Sequence, residues 1–311
     1  MGEAPPGAAY AGRMENGGGK DANQSCLLAG CGYVGVRLAR RRLERGPVLA
    51  LVRRQASCEA LTSEGIAALA MDLDEGSQQD ALDVPPGLHA VVYLAPPAAR
   101  GTEDLRLARF LERLGGARPA VLVYLSTTGV YGDTDGAPVD EQSPVAPRED
   151  RSRRRVDAER RVAQWCEARR IRWVVLRVPA IYGPHRLPLD RLRLGEPVLR
   201  PEDSGPGNRI QVDDLVAACL AALDRPLSGV FNLTDGHPES MAAFTTRVAR
   251  LAGLPAPPQI DWAEAQRVLS PGLLGFLRES RRVTSCRSQA LGLSPMDPEA
   301  GIRASLREMG L

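Results

Sequence analysis

The stretch Ser25-Cys26-Leu27-Leu28-Ala29-Gly30-Cys31-Gly32-Tyr33-Val34-Gly35 decides how this chain is read. A short apolar run ends in G-x-G-x-x-G, and a helix-like pattern follows from Tyr33 to Glu44. The first glycine permits a tight turn, the second lets the backbone approach a pyrophosphate, and the third allows close helix–strand packing. The helix start adds N–H groups and the positive end of its dipole. This places Gly30, Gly32, Tyr33, Val34 and Gly35 at a dinucleotide, against the plainer reading of a tight turn that binds nothing. Pro47 to Val52 (PVLALV) reads as the second strand and ends in Arg53-Arg54. A carboxylate there would suit the ribose 2′-OH of NAD, whereas guanidinium suits a 2′-phosphate. The pair therefore favours NADP over NAD, the competing reading being two solvated arginines in an arginine-rich chain. Asp72, after the third strand, stands where an adenine amino group is commonly read, or where a loop is capped.

Working outward, a third strand ends at Met71, and His89–Leu94 (HAVVYL) and Ala120–Leu125 (AVLVYL) give a fourth and a fifth. Their unbroken apolar character suits parallel strands buried on both faces. Helical spacing appears over Thr102–Leu114 and Arg151–Arg170, and Arg172–Val178 (RWVVLRV) is a sixth strand. Strand alternating with helix argues an α/β fold with a Rossmann-type, doubly wound parallel sheet. After Pro179 the segments shorten and Pro and Gly become frequent. The elements there are a helix at Val212–Leu223, a strand at Gly229–Leu233 and a helix at Pro238–Leu251. The expected organisation is a flexible tail over 1–23, a dinucleotide domain over 24–180 rejoined by 212–234, and a smaller C-terminal substrate lobe from 181–211 and 235–311.

Composition narrows the class. Of 311 residues, 43% are hydrophobic and 25% charged, enough for a real core. A net charge of +2 gives no electrostatic footprint for nucleic acid. One lysine, Lys20, stands among 40 basic residues, so many of the arginines are expected on solvated surface. Six cysteines without C-x-x-C spacing and three dispersed histidines argue against a metal site and for free thiols in a reducing cytoplasm. No apolar run is long enough to span a bilayer, so neither membrane nor nucleic-acid partners are expected.

Four further segments carry a resemblance. Ser126-Thr127-Thr128-Gly129-Val130-Tyr131-Gly132 resembles the S-[ST]-x-x-V-Y-G of extended short-chain dehydrogenases/reductases, which include the nucleotide-sugar epimerases and dehydratases. Leu176 to Pro184 resembles their L-R-x-x-x-[IV]-Y-G-P, Arg209 to Leu215 their helix entry, and Gly229 to Asp235 the strand that follows. The match runs from Cys26 to Leu254, with Ser285–Gly292 resembling the family's late helix. The resemblance implies cofactor contacts at Leu73, Leu94, Ala95, Pro96, Ser126 and Pro179, with Leu94-Ala95-Pro96-Pro97 replacing the usual N-x-A-A. It also implies a homodimer through the helix over 151–170.

The family uses a Ser/Thr hydroxyl, a Tyr acid/base, and a Lys four residues later that lowers the Tyr pKa. Thr127 falls on the hydroxyl position. Counting from Asp140-Glu141 and from Ala158-Glu159 puts Arg151 at the Tyr and Arg155 at the Lys. Arg155 can hold a ribose; Arg151 keeps its proton at ordinary pH and cannot replace a phenol. Tyr131, Tyr182, His185, Glu149, Asp150 or a water are the remaining proton donors. The expected function is an NADP-dependent oxidoreductase or epimerase-like enzyme acting on a polar carbonyl or sugar-like small molecule. The alternatives are a non-catalytic NADP(H)-binding sensor or assembly module, and a scaffold that uses the fold for interaction alone.

Overall fold

All five residues of β1 (Ser25–Ala29) are buried, as are all five of β2 (Val48–Val52). In the computed structural model, which describes residues 24–75, 82–85 and 87–311, these strands lie at the middle of a seven-stranded sheet. The expected tail over 1–23, with Lys20, lies outside the described residues. Helix α1 (Tyr33–Arg42) follows β1, and α2 (Gln55–Ser63) joins β2 to β3 (Ala67–Ala70). Then come β4 (Leu88–Tyr93), α3 (Leu105–Arg113), β5 (Val121–Thr127), β6 (Pro138–Val139), α4 (Asp150–Glu167) and β7 (Arg172–Val178).

The sheet order is β3-β2-β1-β4-β5-β7, closed by β11 (Gly229–Asn232). Leu27 pairs in parallel with Leu49 on one side and Val91 on the other, so the winding reverses between β1 and β4. Such a switch point leaves a crevice at the carboxyl ends of the strands, where open α/β sheets bind ligands. β3 is only half-buried along its length because it forms the sheet edge.

The chain folds as two compact units. The first comprises the described residues up to Ser126, with Arg153–Val175 and Ala218–Gly229. The second comprises Thr127–Ser152, Leu176–Ala217 and Val230–Leu311. Elements completing the chain are β8 (Ala180–Tyr182), α5 (Leu189–Arg193), β9 (Val198–Leu199), β10 (Arg209–Gln211) and α6 (Val212–Asp224). After β11 follow α7 (Met241–Leu251), β12 (Gln259–Ile260), α8 (Trp262–Val268), α9 (Pro271–Arg278), β13 (Arg282–Val283), α10 (Ser288–Leu291) and α11 (Pro298–Glu308).

In the second unit Tyr182, Leu189, Leu192, Phe244, Val248 and Ile302 form a core. Glu141 ties its loop to two distant segments: it accepts from the Asn232 N–H at 2.8 Å and the Cys286 N–H at 3.0 Å. Ser285 donates its hydroxyl to the same carboxylate at 2.5 Å. These bonds to the charged form outweigh burial and lower the Glu141 pKa.

The alternating elements fall where periodicity places them, with ends moved by capping. The helix expected from Thr102 begins at Leu105 because Asp104 accepts from the Leu107 N–H. The one expected from Pro238 begins at Met241 because Ser240 accepts from the Ala243 N–H. Helices α2, α5, α8, α9 and α11 go beyond the sequence reading. α2 and α9 are short and weakly buried, while α11 carries its start signal in Asp297-Pro298: Asp297 accepts from the Glu299 and Ala300 N–H groups.

In the first unit, Asp104 is wholly buried, and its Oδ2 has no partner among the described residues. Burial raises its pKa against the Leu107 N–H, which lowers it. A raised carboxyl pKa means the folded state holds its proton more tightly, so stability falls as pH rises through that pKa. Asp104→Asn keeps the capping oxygen and removes the charge. It is expected to raise the melting temperature at pH 7, with the gain shrinking as pH falls toward the unfolded value of about 3.9. Asp104→Ala, which loses the cap, is expected to cost about 0.5–2 kcal/mol in chemical denaturation.

Candidate functional site

In the first unit the end of β1 turns so tightly that Gly30 adopts φ +88°. A Cβ added there would lie 2.4 Å from the Ala95 nitrogen and 2.5 Å from its Cα, so no side chain fits without moving the end of β4. Gly35 faces Cys31, whose Sγ would be 3.2 Å from an added Cβ. Gly32 differs from both: an added Cβ would meet nothing within 4 Å, and its φ of −102° is open to other residues. The space beside Gly32 is thus left by the loop and not filled by protein. No side chain caps α1 and no acid sits in its first turn, which leaves that end complementary to an anion. Burial pushes the Cys31 thiol up to about 12, so it stays protonated and is no nucleophile at neutral pH.

Arg53 and Arg54 are exposed at the carboxyl end of β2. The loop after β3 is held from α3. Arg106 pairs with Asp74 and donates to the Pro96 carbonyl at 2.6 Å, and Arg109 donates to the Asp74 carbonyl at 3.1 Å. Asp72 closes a local turn by accepting from the Asp74 N–H at 2.8 Å, and Leu73 beside it is buried. Leu94 donates its N–H to the Ala29 carbonyl, which joins the two strand ends that border the glycine loop. Ala95 is buried and Pro96 exposed.

The two arginines expected at the Tyr and Lys positions diverge. Arg151 is exposed. Arg155 turns inward and donates to the Tyr124 hydroxyl at 3.0 Å and to the Leu125 carbonyl at 2.9 Å. Burial raises the Tyr124 pKa despite that guanidinium, so its phenol keeps its proton. Ser126 donates to Glu159 at 2.5 Å, with both side chains buried. The sequence reading gave no contact to Tyr124 or Glu159. Glu159 carried a signal, four residues after Arg155 on one helix face, but its partner could come only from the fold.

In the second unit Thr127 accepts from the Gly129 N–H at 3.1 Å and caps a 3-10 turn over Thr128–Tyr131. The Ser152 hydroxyl lies 2.9 Å from where a Gly129 Cβ would be, so it too belongs to this turn. The Tyr131 hydroxyl accepts from Arg177 at 2.8 Å and donates to Asn232 at 2.8 Å, and burial raises its pKa. Tyr182 is buried with its hydroxyl packed against Gly301, and burial raises its pKa also. Both phenols are built into the lobe's packing. His185 is exposed at φ +60°, Glu149 and Asp150 are exposed, and Pro179 is buried between β7 and β8. Among the described residues no group of three metal-ligating side chains forms, and no helix is long and apolar enough to cross a membrane.

The sequence model of the NAD dependent epimerase/dehydratase family matches residues 26–234, which spans the glycine loop, the Thr127 turn and β11. The chain belongs to this family. Membership implies a nicotinamide dinucleotide cofactor and an enzyme of the short-chain dehydrogenase type. A conserved protein of unknown function from Silicibacter pomeroyi is similar in structure, with a TM-score of 0.76 and 29% identity, covering 91% of this chain and 98% of that one. A UDP-glucose 4-epimerase from Thermotoga maritima shares the fold, with a TM-score of 0.77 and 16% identity, covering 92% of this chain and 98% of that one. A 3-diazoavenalumate denitrifying reductase from a Streptomyces species is 30% identical over 132 residues, 40% of this chain and 43% of that protein. The matched part is thus under half of that reductase.

The two glycines separate fold from binding. Gly32→Ala is expected to leave the melting temperature within about 2 °C, since its effect should stay within roughly 0.5 kcal/mol, and to weaken dinucleotide binding at least about tenfold by calorimetry. Gly30→Ala is expected to lower stability by about 1–3 kcal/mol through strain and overpacking. A Gly32→Ala protein that binds as tightly as the parent would show that no ligand passes over this glycine.

Proposed function

We propose that this protein is an NADP(H)-dependent oxidoreductase whose hydride transfer does without a tyrosine acid. The observation that carries the reading is the open space over Gly32 beside an uncapped helix start, with Arg53 and Arg54 at the end of the next strand. The loop N–H groups and α1 would hold the pyrophosphate, and the arginines a 2′-phosphate through charge-assisted bonds. Bound NADPH would supply the hydride.

The chain's own residues support a particular kind of acceptor. Arg151 cannot give up a proton, Arg155 is engaged with Tyr124, and Tyr131 and Tyr182 are packed into the lobe. Thr127 retains a hydroxyl that can bind a polar substrate group. A polar carbonyl or sugar-like substrate would need its proton from water. A cationic acceptor needs none, because the incoming hydride neutralises it. The similar reductase is named for a diazo compound, and replacement of an aryl diazonium group by hydride, with release of dinitrogen, is of that kind. A reductase acting on an electron-poor polar acceptor therefore fits this chain better than an epimerase, whose reversible chemistry relies on the phenol. Replacement of the Tyr and Lys by arginines also suits a second reading, a dinucleotide-binding sensor that does not turn over.

Calorimetric titration should show NADPH binding more tightly than NADH. Changing Arg53 and Arg54 together to Ala should weaken NADPH about ten- to hundredfold and leave NADH nearly unchanged. NADPH oxidation is then followed with polar ketones, iminium ions and aryl diazonium salts. Turnover that falls in Thr127→Val supports the enzyme, binding with no turnover supports the sensor, and no binding of either dinucleotide overturns both.

We also propose a homodimer through α3 and α4 of the first unit, where Leu111, Trp165 and Arg169 line a groove of about 390 Å3. Light scattering at micromolar concentration should give twice the 33.4 kDa chain mass, and a monomer would sink this proposal.

A further inference from the structure

The second unit holds a cavity of about 160 Å3 between β8, α5, α7 and α9. Its lining combines aromatic side chains with arginines, and no acidic side chain is among them. Phe244 is a fixed wall. It packs edge-on to Tyr182, with ring centroids 5.4 Å apart and planes at 60°, and the Arg209 guanidinium lies 4.3 Å from its ring centre. Arg209 is itself committed to the backbone, donating to the Glu239 carbonyl at 3.0 Å and the Ser240 carbonyl at 3.3 Å. It therefore braces the wall and is not the ligand-binding cation.

Phe276 reaches the cavity from α9 and is 42% exposed, one of few large apolar side chains in that state among the described residues. α9 is anchored through Leu274 and Leu277, which pack on the Leu199–Ile260–Ala265 cluster. Phe276 is thus held at the cavity without being consumed by a core. Arg186 and Arg191 complete the lining. Arg191 uses its Nε on Glu196 at 2.6 Å, one of the five donors of a guanidinium, and Glu196 does not line the cavity.

A small space with aromatic walls and guanidinium donors selects for a flat ring carrying an anion. Its volume is below the roughly 300–1,000 Å3 of sites for drug-sized ligands. A single substituted ring suits that scale, and a nucleoside diphosphate sugar does not. The fork of an arginine matches a carboxylate in two parallel bonds. We propose that this cavity binds a small aromatic carboxylic acid, its ring against Phe244 and Phe276 and its carboxylate on Arg186 and Arg191. The proposal needs only the second unit, so it stands or falls apart from the dinucleotide site.

The test is calorimetry on the full chain without dinucleotide, using 4-hydroxycinnamate and 4-hydroxybenzoate, with 4-hydroxycinnamamide as the uncharged counterpart. At least one acid is expected to bind at a single site, at least about tenfold tighter than the amide, the ratio that one charge-assisted bond supplies. Arg191→Gln and Arg186→Gln should each remove most of that preference for the acid. Phe276→Ala, at a half-exposed position, should weaken acid and amide alike while leaving the melting temperature near that of the parent. NADPH binding to the same samples, followed by fluorescence, registers the state of the other site separately. Absence of acid binding at millimolar concentration, an amide that binds as well as the acid, or full affinity in all three variants overturns the proposal.

Discussion

The approach of Gly30 to the backbone of Ala95 is the constraint on which the first unit depends. The ends of β1 and β4 are neighbours at the point where the sheet reverses its winding, and the Gly30 turn has room only because it lacks a Cβ. The same turn directs the chain into α1, and the Gly30 and Cys31 N–H groups bond the Leu51 carbonyl of β2. One backbone contact therefore fixes three strand ends and leaves Gly32 facing open space. The dinucleotide reading follows from that local geometry, and family membership agrees with it.

Some of the arginines serve inside the protein. A chain with one lysine among its basic residues invites the view that many arginines are solvated. Arg42, Arg113, Arg154, Arg177 and Arg209 are nonetheless buried. Several of them, and partly buried Arg172, end on backbone carbonyls: Arg154 on Gly101, Arg113 on Glu75, and Arg172 on Ala222, Leu223 and Leu227. Five fixed donors let one guanidinium satisfy several carbonyls at once, and a helix end offers carbonyls in a cluster. Arg172 does this at the end of α6. Arg155 belongs with them, turned to Tyr124 and Leu125.

That engagement bears on the chemistry. A phenol is useful as an acid when a neighbouring cation lowers its pKa and a substrate can reach it. Tyr124 has the cation and lacks the access, since it is fully buried. Tyr131 is engaged on both sides and Tyr182 lies beneath α11. Thr127, which caps a 3-10 turn, is a poor acid but a good hydrogen-bonding group.

The glycine loop, the apolar strands and the arginine pair after β2 were legible from residue order, because turn sterics, burial on both sheet faces and local charge act within a few residues. Helix ends were not placed to the residue, since Asp104 and Ser240 decide them by which N–H they reach. The partners of Arg155, Ser126, Tyr131 and Glu141 lie 30, 33, 101 and 144 residues away in the chain, and no periodicity encodes such pairings. The cavity lined by Phe244, Phe276 and Arg191 belongs to this second kind, because it forms only where α5, α7 and α9 converge. The sequence by itself determined the fold class and the tight glycine turn that follows the first strand. Tertiary structure alone decided which charged and aromatic groups are spent on packing and which are left to meet a ligand, because that depends on contacts between segments far apart in the chain.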